Sequence, residues 1–321
     1  MGAHMNIQIA NSPLQAELNA STGRFTDKTF DWKAFPSNVP FPELARAQMR
    51  YIGAGGSPKV GDTSTLPAQN FTLSLIYKEP GRYAACHSHE IEESFLIISG
   101  ALIVGWEKDG EVVEVNLGPR DMILNAREVA HGFRVDGVEP VLMSISVDVG
   151  KPLPPVYRYH PKDCPSELAR TFGAEPGKTI PFDRQGTHPM QQQMSDYVVR
   201  HSELPTIWED AGFARKVYVG SAPGAIASTT CRKEMWGVPS RTALAAFTRP
   251  VEDAVMCLEG SIEVVWVDDA GNEAVVELGP RDMVRTPAGQ AHFIRNPGAG
   301  AATLWTVIGQ SDDDDFTFQA G

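Results

Sequence analysis

The chain repeats itself. Ser99-Gly100-Ala101-Leu102-Ile103-Val104-Gly105-Trp106, followed by Leu117-Gly118-Pro119-Arg120-Asp121-Met122, returns as Glu259-Gly260-Ser261-Ile262-Glu263-Val264-Val265-Trp266, followed by Leu278-Gly279-Pro280-Arg281-Asp282-Met283. The offset is 160 residues before the Asp109-Gly110 pair and 161 after it. The extra residue falls where Lys108-Asp109-Gly110 gives way to Asp268-Asp269-Ala270-Gly271, and a hairpin turn is where a duplicated fold best absorbs an insertion. His131 and His292 also correspond, ten residues after Asp121 and Asp282. Two copies of one fold are therefore expected within the 321 residues.

Each copy is written in short apolar and β-branched runs, as at 71–77, 94–98, 102–106, 112–117 and 141–147, punctuated by Gly, Pro and Asp-Gly. That pattern predicts an all-β class, an antiparallel sandwich or barrel used twice. Between the copies lies a Pro-rich stretch that opens Lys151-Pro152-Leu153-Pro154-Pro155, with a short helix expected near 166–172. The expected organisation is an N-terminal arm at 1–40, a first domain at 41–150, a partly helical connector at 151–205, a second domain at 206–310 and an acidic tail at 311–321. Residues 1–5 read as a tag remnant, so His4 is left out of site reasoning, and the aspartates at 312–315 read as a solvated run.

Charge narrows the partners. Against 28 Lys and Arg stand 40 Asp and Glu, a net charge of −12, which leaves no broad basic face for nucleic acid. No apolar stretch approaches the ~18 residues that would predict a membrane span. Cys86, Cys164, Cys231 and Cys257 have neither CxxC spacing nor the density of a disulfide framework, so reduced thiols and a cytoplasmic location are expected.

Chemistry concentrates in one segment of the first copy. In a strand, side chains two apart share a face, so His87 and His89 can bring both imidazoles to one point, with Glu93 returning a carboxylate beside them. Nitrogen donors with a carboxylate suit a divalent transition ion rather than calcium or magnesium, and His131 is the natural fourth donor. The competing reading is a polar strand end that binds nothing.

The spacing G-x5-H-x-H-x3-E-x6-G, with Gly81, His87, His89, Glu93 and Gly100 in place, resembles the first motif of the cupin family. The second cupin motif is only partly matched at 121–135: His131 is present, but Ala126, Glu128 and Val135 stand where Pro, Gly and Asn are usual. In the second copy the balance reverses. Pro287, Gly289, His292 and Asn296 match the second motif, while Phe247, Arg249 and Asp253 align with His87, His89 and Glu93. The resemblance implies two tandem cupin jelly-roll barrels, with one metal site in the first and a degenerate second barrel. It also implies one divalent transition metal per chain, with Fe(II) favoured and Mn, Ni, Zn or Cu as alternatives, and pairing into homo-oligomers.

Strand alternation extends the reading to a pocket. If His87, Glu93 and His131 face inward, so should Tyr83, Phe95, Ile97 and Phe133, a mostly apolar lining that favours a ring-bearing substrate over a small dianion, which would require buried cations. The leading expectation is an Fe(II) dioxygenase taking O2 and a small organic substrate. Its alternatives are a redox-neutral metal enzyme (isomerase, cyclase, decarboxylase or hydrolase), with Glu93 or Glu92 as proton carrier, and a non-catalytic small-molecule-binding protein.

Overall fold

The computed structural model describes residues 12–309 and 317–318, so the expected tag remnant and the run at 312–315 lie outside the described residues. Two compact units emerge, one of residues 30–203 and one holding the described parts of 1–29 and 204–321. Among the described residues, no helix is long and apolar enough to cross a membrane.

The first unit is built on β1 (Ala47–Ile52), β2 (Thr72–Lys78), β3 (Tyr83–Ser88), β4 (Glu93–Ser99), β5 (Leu102–Lys108), β6 (Glu111–Leu117), β7 (Met122–Asn125), β8 (Ala130–Arg134) and β9 (Val141–Val147). They form two six-stranded sheets. One runs β7-β4-β9-β2-β1 with a short strand Val198–Val199 outside β7, and the other runs β3-β8-β5-β6 between Val156–Tyr159 and Ile180–Pro181. Side chains such as Phe95, Ile97, Val104, Trp106, Phe133 and Met143 fill the space between them. β4 and β9 are buried almost throughout, which is why their sequences read as nearly continuous apolar runs rather than alternation.

The second unit repeats the plan with β10 (Phe213–Val219), β11 (Arg232–Val238), β12 (Asp253–Glu259), β13 (Ile262–Val267), β14 (Glu273–Leu278), β15 (Met283–Thr286), β16 (Ala291–Asn296) and β17 (Ala302–Ile308). Its larger sheet runs β15-β12-β17-β11-β10, the order of the first barrel. The twice-written Gly-Pro-Arg-Asp is a turn. Arg120 and Arg281 take positive φ of 70° and 72°, and Asp121 and Asp282 each accept the N–H of the turn's Gly118 or Gly279 at 3.1 Å.

The same two aspartates anchor segments from elsewhere in the chain. The helix Pro13–Ala20 and strand Thr22–Gly23 lie on the second barrel, where Thr22 pairs with Val284, Arg24 bridges Asp282 at 3.0 Å and the Phe25 N–H reaches the other oxygen at 2.8 Å. In the first barrel, the helix Pro189–Ser195 and strand Val198–Val199 do likewise: Val198 pairs with Ile123, Arg200 bridges Asp121 at 2.7 Å and the His201 N–H bonds Asp121 at 3.1 Å. Each barrel thus carries the arm that precedes the other barrel in sequence. The boundaries expected at 40, 150 and 205 shift accordingly, because the arm and the connector are integral parts of opposite units.

Because Asp121 holds a turn amide, an arm amide and a guanidinium, Asp121→Ala is expected to cost ~2 kcal/mol, whereas Arg200→Ala removes the partly exposed pair and a bond to the Asn116 carbonyl and costs about 1 kcal/mol. Urea unfolding of both variants checks this; equal losses would mean that the ion pair alone carries the anchor.

Candidate metal centre

His87, His89, Glu93 and His131 converge, with one donor atom from each lying within 4.8 Å of all the others and all four side chains buried. The fold accounts for the convergence. His87 near the end of β3 lies directly opposite His131 on β8, His89 follows immediately after β3, and Glu93 opens β4 opposite Asn125. Glu93 Oε2 lies 3.1 Å from His131 Nε2 and 3.6 Å from His89 Nε2. The Nδ1 atoms of His87 and His131 bond the carbonyls of Ala85 and Val129 at 2.8 and 2.9 Å, which fixes the tautomer and leaves both Nε2 atoms facing the centre.

The protonation states suit a cation. Burial, then the neighbouring His131 and His89, drive His87 well below its ordinary value, and burial lowers His89 despite the nearby Glu93. Burial by itself would raise Glu93, but His89 and His131 override it and hold the carboxyl at about 2. Neutral imidazoles and an ionised carboxylate are the forms that bind a divalent transition ion, so the donor set fits such an ion without rearrangement.

Of the four pocket residues expected from alternation, the space beside the ligand cluster is lined by Phe133 but not by Tyr83, Phe95 or Ile97. Tyr83 fails for a geometric reason. Ala84 is opposite Phe133 and His87 opposite His131, three residues on β3 against two on β8, so a β-bulge reverses the parity between them. Tyr83 and Ala85 therefore turn outward onto Leu44 and Ala169, and the Tyr83 hydroxyl donates to the Ser166 carbonyl at 3.2 Å. Phe95 packs behind the cluster, its ring 5.9 Å from that of His131 and 5.2 Å from that of Phe133, and Ile97 lies further along β4 in the core.

Four contributors were invisible to the sequence reading: Arg46, Phe35, Gly56 and Pro155 line the same space as His87, His89 and Glu93. Arg46 is only 7% exposed, its Nε has no hydrogen-bond partner, and its guanidinium stands 3.9 Å from the Phe35 ring centre. Buried Lys78 approaches the Phe133 ring at 5.4 Å and donates to the Ala45 carbonyl at 3.3 Å. Tyr157, from the supposedly inert connector, sets its ring 5.6 Å from that of His87, and its hydroxyl faces Arg46. No motif marks these residues, since they come from loops and strand ends remote in sequence.

The second barrel holds a different solution at the aligned positions. Phe247 lies opposite His292 as His87 lies opposite His131, but Arg249 Nε sits 3.0 Å from Asp253 Oδ2, and His292 Nε2 is 3.5 Å from the same oxygen. Phe213 occupies the register position of Arg46, and Trp236 that of Ile76. A guanidinium stands beside the carboxylate in this buried core, and among the described residues the only metal-type cluster is that of the first barrel.

His87→Ala or His89→Ala is expected to reduce bound metal from about one ion per chain to near none, measured by elemental analysis, while His292→Ala leaves it unchanged. Arg249→Met strands a buried Asp253 and should cost ~3 kcal/mol without altering metal content. Since His87 and His89 titrate lower when folded than the ordinary 6.5, the unfolded chain binds more protons below that pH. Stability of metal-free protein is therefore full above about 6.5 and falls on acidification, by ~1.4 kcal/mol for each unit of depression. A melting temperature flat from about pH 8 to about pH 5 would contradict this, and His87→Phe should flatten the slope.

Residues 238–309 match the cupin domain family. No curated protein matches the chain in sequence. Among solved structures, the chain is similar to a Lactobacillus farciminis oxalate decarboxylase in its formate complex, with a TM-score of 0.65 at 13% identity over 92% of this chain and 88% of the other. A Bacillus subtilis oxalate decarboxylase studied for its Mn(II) centres gives a TM-score of 0.63 at 13% identity, over 93% and 79%. The family match falls on the barrel with the intact second motif, while the cluster of donor residues lies in the other, and with both barrels sharing one strand order the chain has the fold of two tandem cupin-like barrels.

Proposed function

We propose that this protein is a metal-dependent enzyme of redox-neutral type acting on an organic carboxylate, with decarboxylation as the foremost reaction. The carrying observation is Arg46, a buried guanidinium with an unpartnered Nε on the wall it shares with His87, His89 and Glu93. A buried guanidinium with an unsatisfied N–H is costly, and an anionic substrate relieves it. The sequence argument against a small anionic substrate rested on a lining without cations, and Arg46 removes that premise. Likeness to oxalate decarboxylases supports the same direction.

A divalent ion held by His87, His89, Glu93 and His131 would supply Lewis-acid stabilisation of negative charge developing on the substrate; manganese joins iron as a leading identity, with nickel, zinc and copper behind. The chain's own residues do the rest. Arg46 receives the carboxylate and orients it, and Phe35 and Phe133 keep water from the guanidinium. Loss of CO2 breaks the bond between the carboxyl carbon and its neighbour, leaves the electron pair on that neighbour and requires one proton in return. Tyr157, whose hydroxyl faces Arg46, is placed to deliver it. Glu93 is engaged by His89 and His131, and Glu92 lies beside Tyr197, away from the lining, so the proton-carrier role expected of either passes to Tyr157.

In anaerobic and aerobic assays of manganese- or iron-loaded protein across a panel of carboxylic acids, CO2 release is expected at equal rates with and without O2. Arg46→Gln should lower kcat/KM by about 100-fold or more, with Arg46→Lys partly restoring it. Stoichiometric O2 uptake during turnover would overturn the redox-neutral assignment.

A further inference from the structure

The space directly facing the ligand cluster is about 20 Å3, room for little more than one water molecule. Beside it, within the same unit, lies a second cavity of about 370 Å3, and Phe35, Gly56 and Pro155 line both. That is the size of an ordinary small-molecule site. Its remaining wall is made by Pro36, Pro58, Pro152, Leu153, Pro154 and Tyr157, among others, and includes no charged side chain. Leu153 and Val60 stand 61% and 84% exposed at this cavity, an arrangement unfavourable in water and relieved by an apolar ligand. Five prolines with fixed φ preform the wall, so little ordering is needed on binding. Gly56, which borders both, adopts φ +76°, and a Cβ there would meet nothing within 4 Å, so open space lies against its bare backbone.

Resting on the reading that Arg46 receives a carboxylate, we infer that the substrate is an elongated, amphiphilic monocarboxylate. Its acid end enters the small space at Arg46, and its aromatic or branched aliphatic body fills the proline-walled cavity. A short dianion of the oxalate kind fits poorly here. It has no apolar part to cover the proline-walled cavity, and that cavity offers no cation to a second carboxylate.

The test is equilibrium binding by calorimetry to the protein as purified, using 3-phenylpropionate, acetate and oxalate as probes. 3-Phenylpropionate is expected to bind at least about tenfold more tightly than either small acid. Leu153→Asp and Val60→Asp, at exposed positions that leave the fold intact by circular dichroism, should each weaken 3-phenylpropionate about tenfold while leaving acetate unchanged. Arg46→Gln should remove binding of all three. Oxalate binding as tightly as 3-phenylpropionate, or Leu153→Asp without effect, would overturn the inference. The two readings separate cleanly: graded binding with no CO2 released from any acid keeps the cavity assignment and removes decarboxylation, whereas turnover of oxalate indifferent to Leu153→Asp does the reverse.

Discussion

A carboxylate occupies the same strand position in the heart of both barrels, Glu93 in one and Asp253 in the other, and a buried carboxylate demands positive charge nearby. The two barrels meet that demand differently. In the second, the Arg249 guanidinium carries the charge within the chain, backed by His292 and covered by Phe247 and Trp236. In the first, three imidazoles surround Glu93 and leave it able to share an external cation, with the Arg46 guanidinium lining the same space. One scaffold therefore yields a closed ionic core and an open, ligand-ready one through a handful of side chains.

What holds these cores in register is local and repeated. The Gly-Pro-Arg-Asp turn sets the strand that carries Glu93 or Asp253, through the Arg120 amide to the Ile97 carbonyl and the Arg281 amide to the Cys257 carbonyl. The aspartate of that turn also binds an arm that arrives from the other half of the sequence. Arm and turn together close one edge of the sheet that carries Glu93 or Asp253, where an uncovered edge would invite association. The recurring chemistry of the turn thus serves assembly, whereas the divergent chemistry lies on β3, β8 and the loops around them.

Function follows from the divergence. The bulge in β3 lets His87 face His131 while Ala84, a small residue, faces Phe133, which leaves room beside the ligands. Arg46 at the start of β1 and Tyr157 from the connector close over that room from two sides. In the second barrel, Phe213 and Trp236 fill the positions of Arg46 and Ile76, their rings 4.6 Å apart. Aromatic packing there and a guanidinium here distinguish the two barrels at this position.

The sequence by itself determined the duplication, the all-β class, the four convergent ligands and the loss of three of them in the second copy. Each of these is encoded by residue type at fixed spacing along one strand or across one repeat. Tertiary structure alone decided which residues surround the ligands. Tyr83 left the pocket because one extra residue in β3 inverts an alternation that the sequence cannot mark, and Ile97 fell outside it because parity gives a face and not a depth. Arg46, Phe35, Gly56 and Tyr157 entered because chain closure brings together loops separated by up to a hundred residues or more. Where the arm and the connector dock escaped notice for the same reason: an Arg and an Asp that meet only after folding leave no periodic trace. Local spacing fixes ligands, and long-range packing fixes what the ligands are offered.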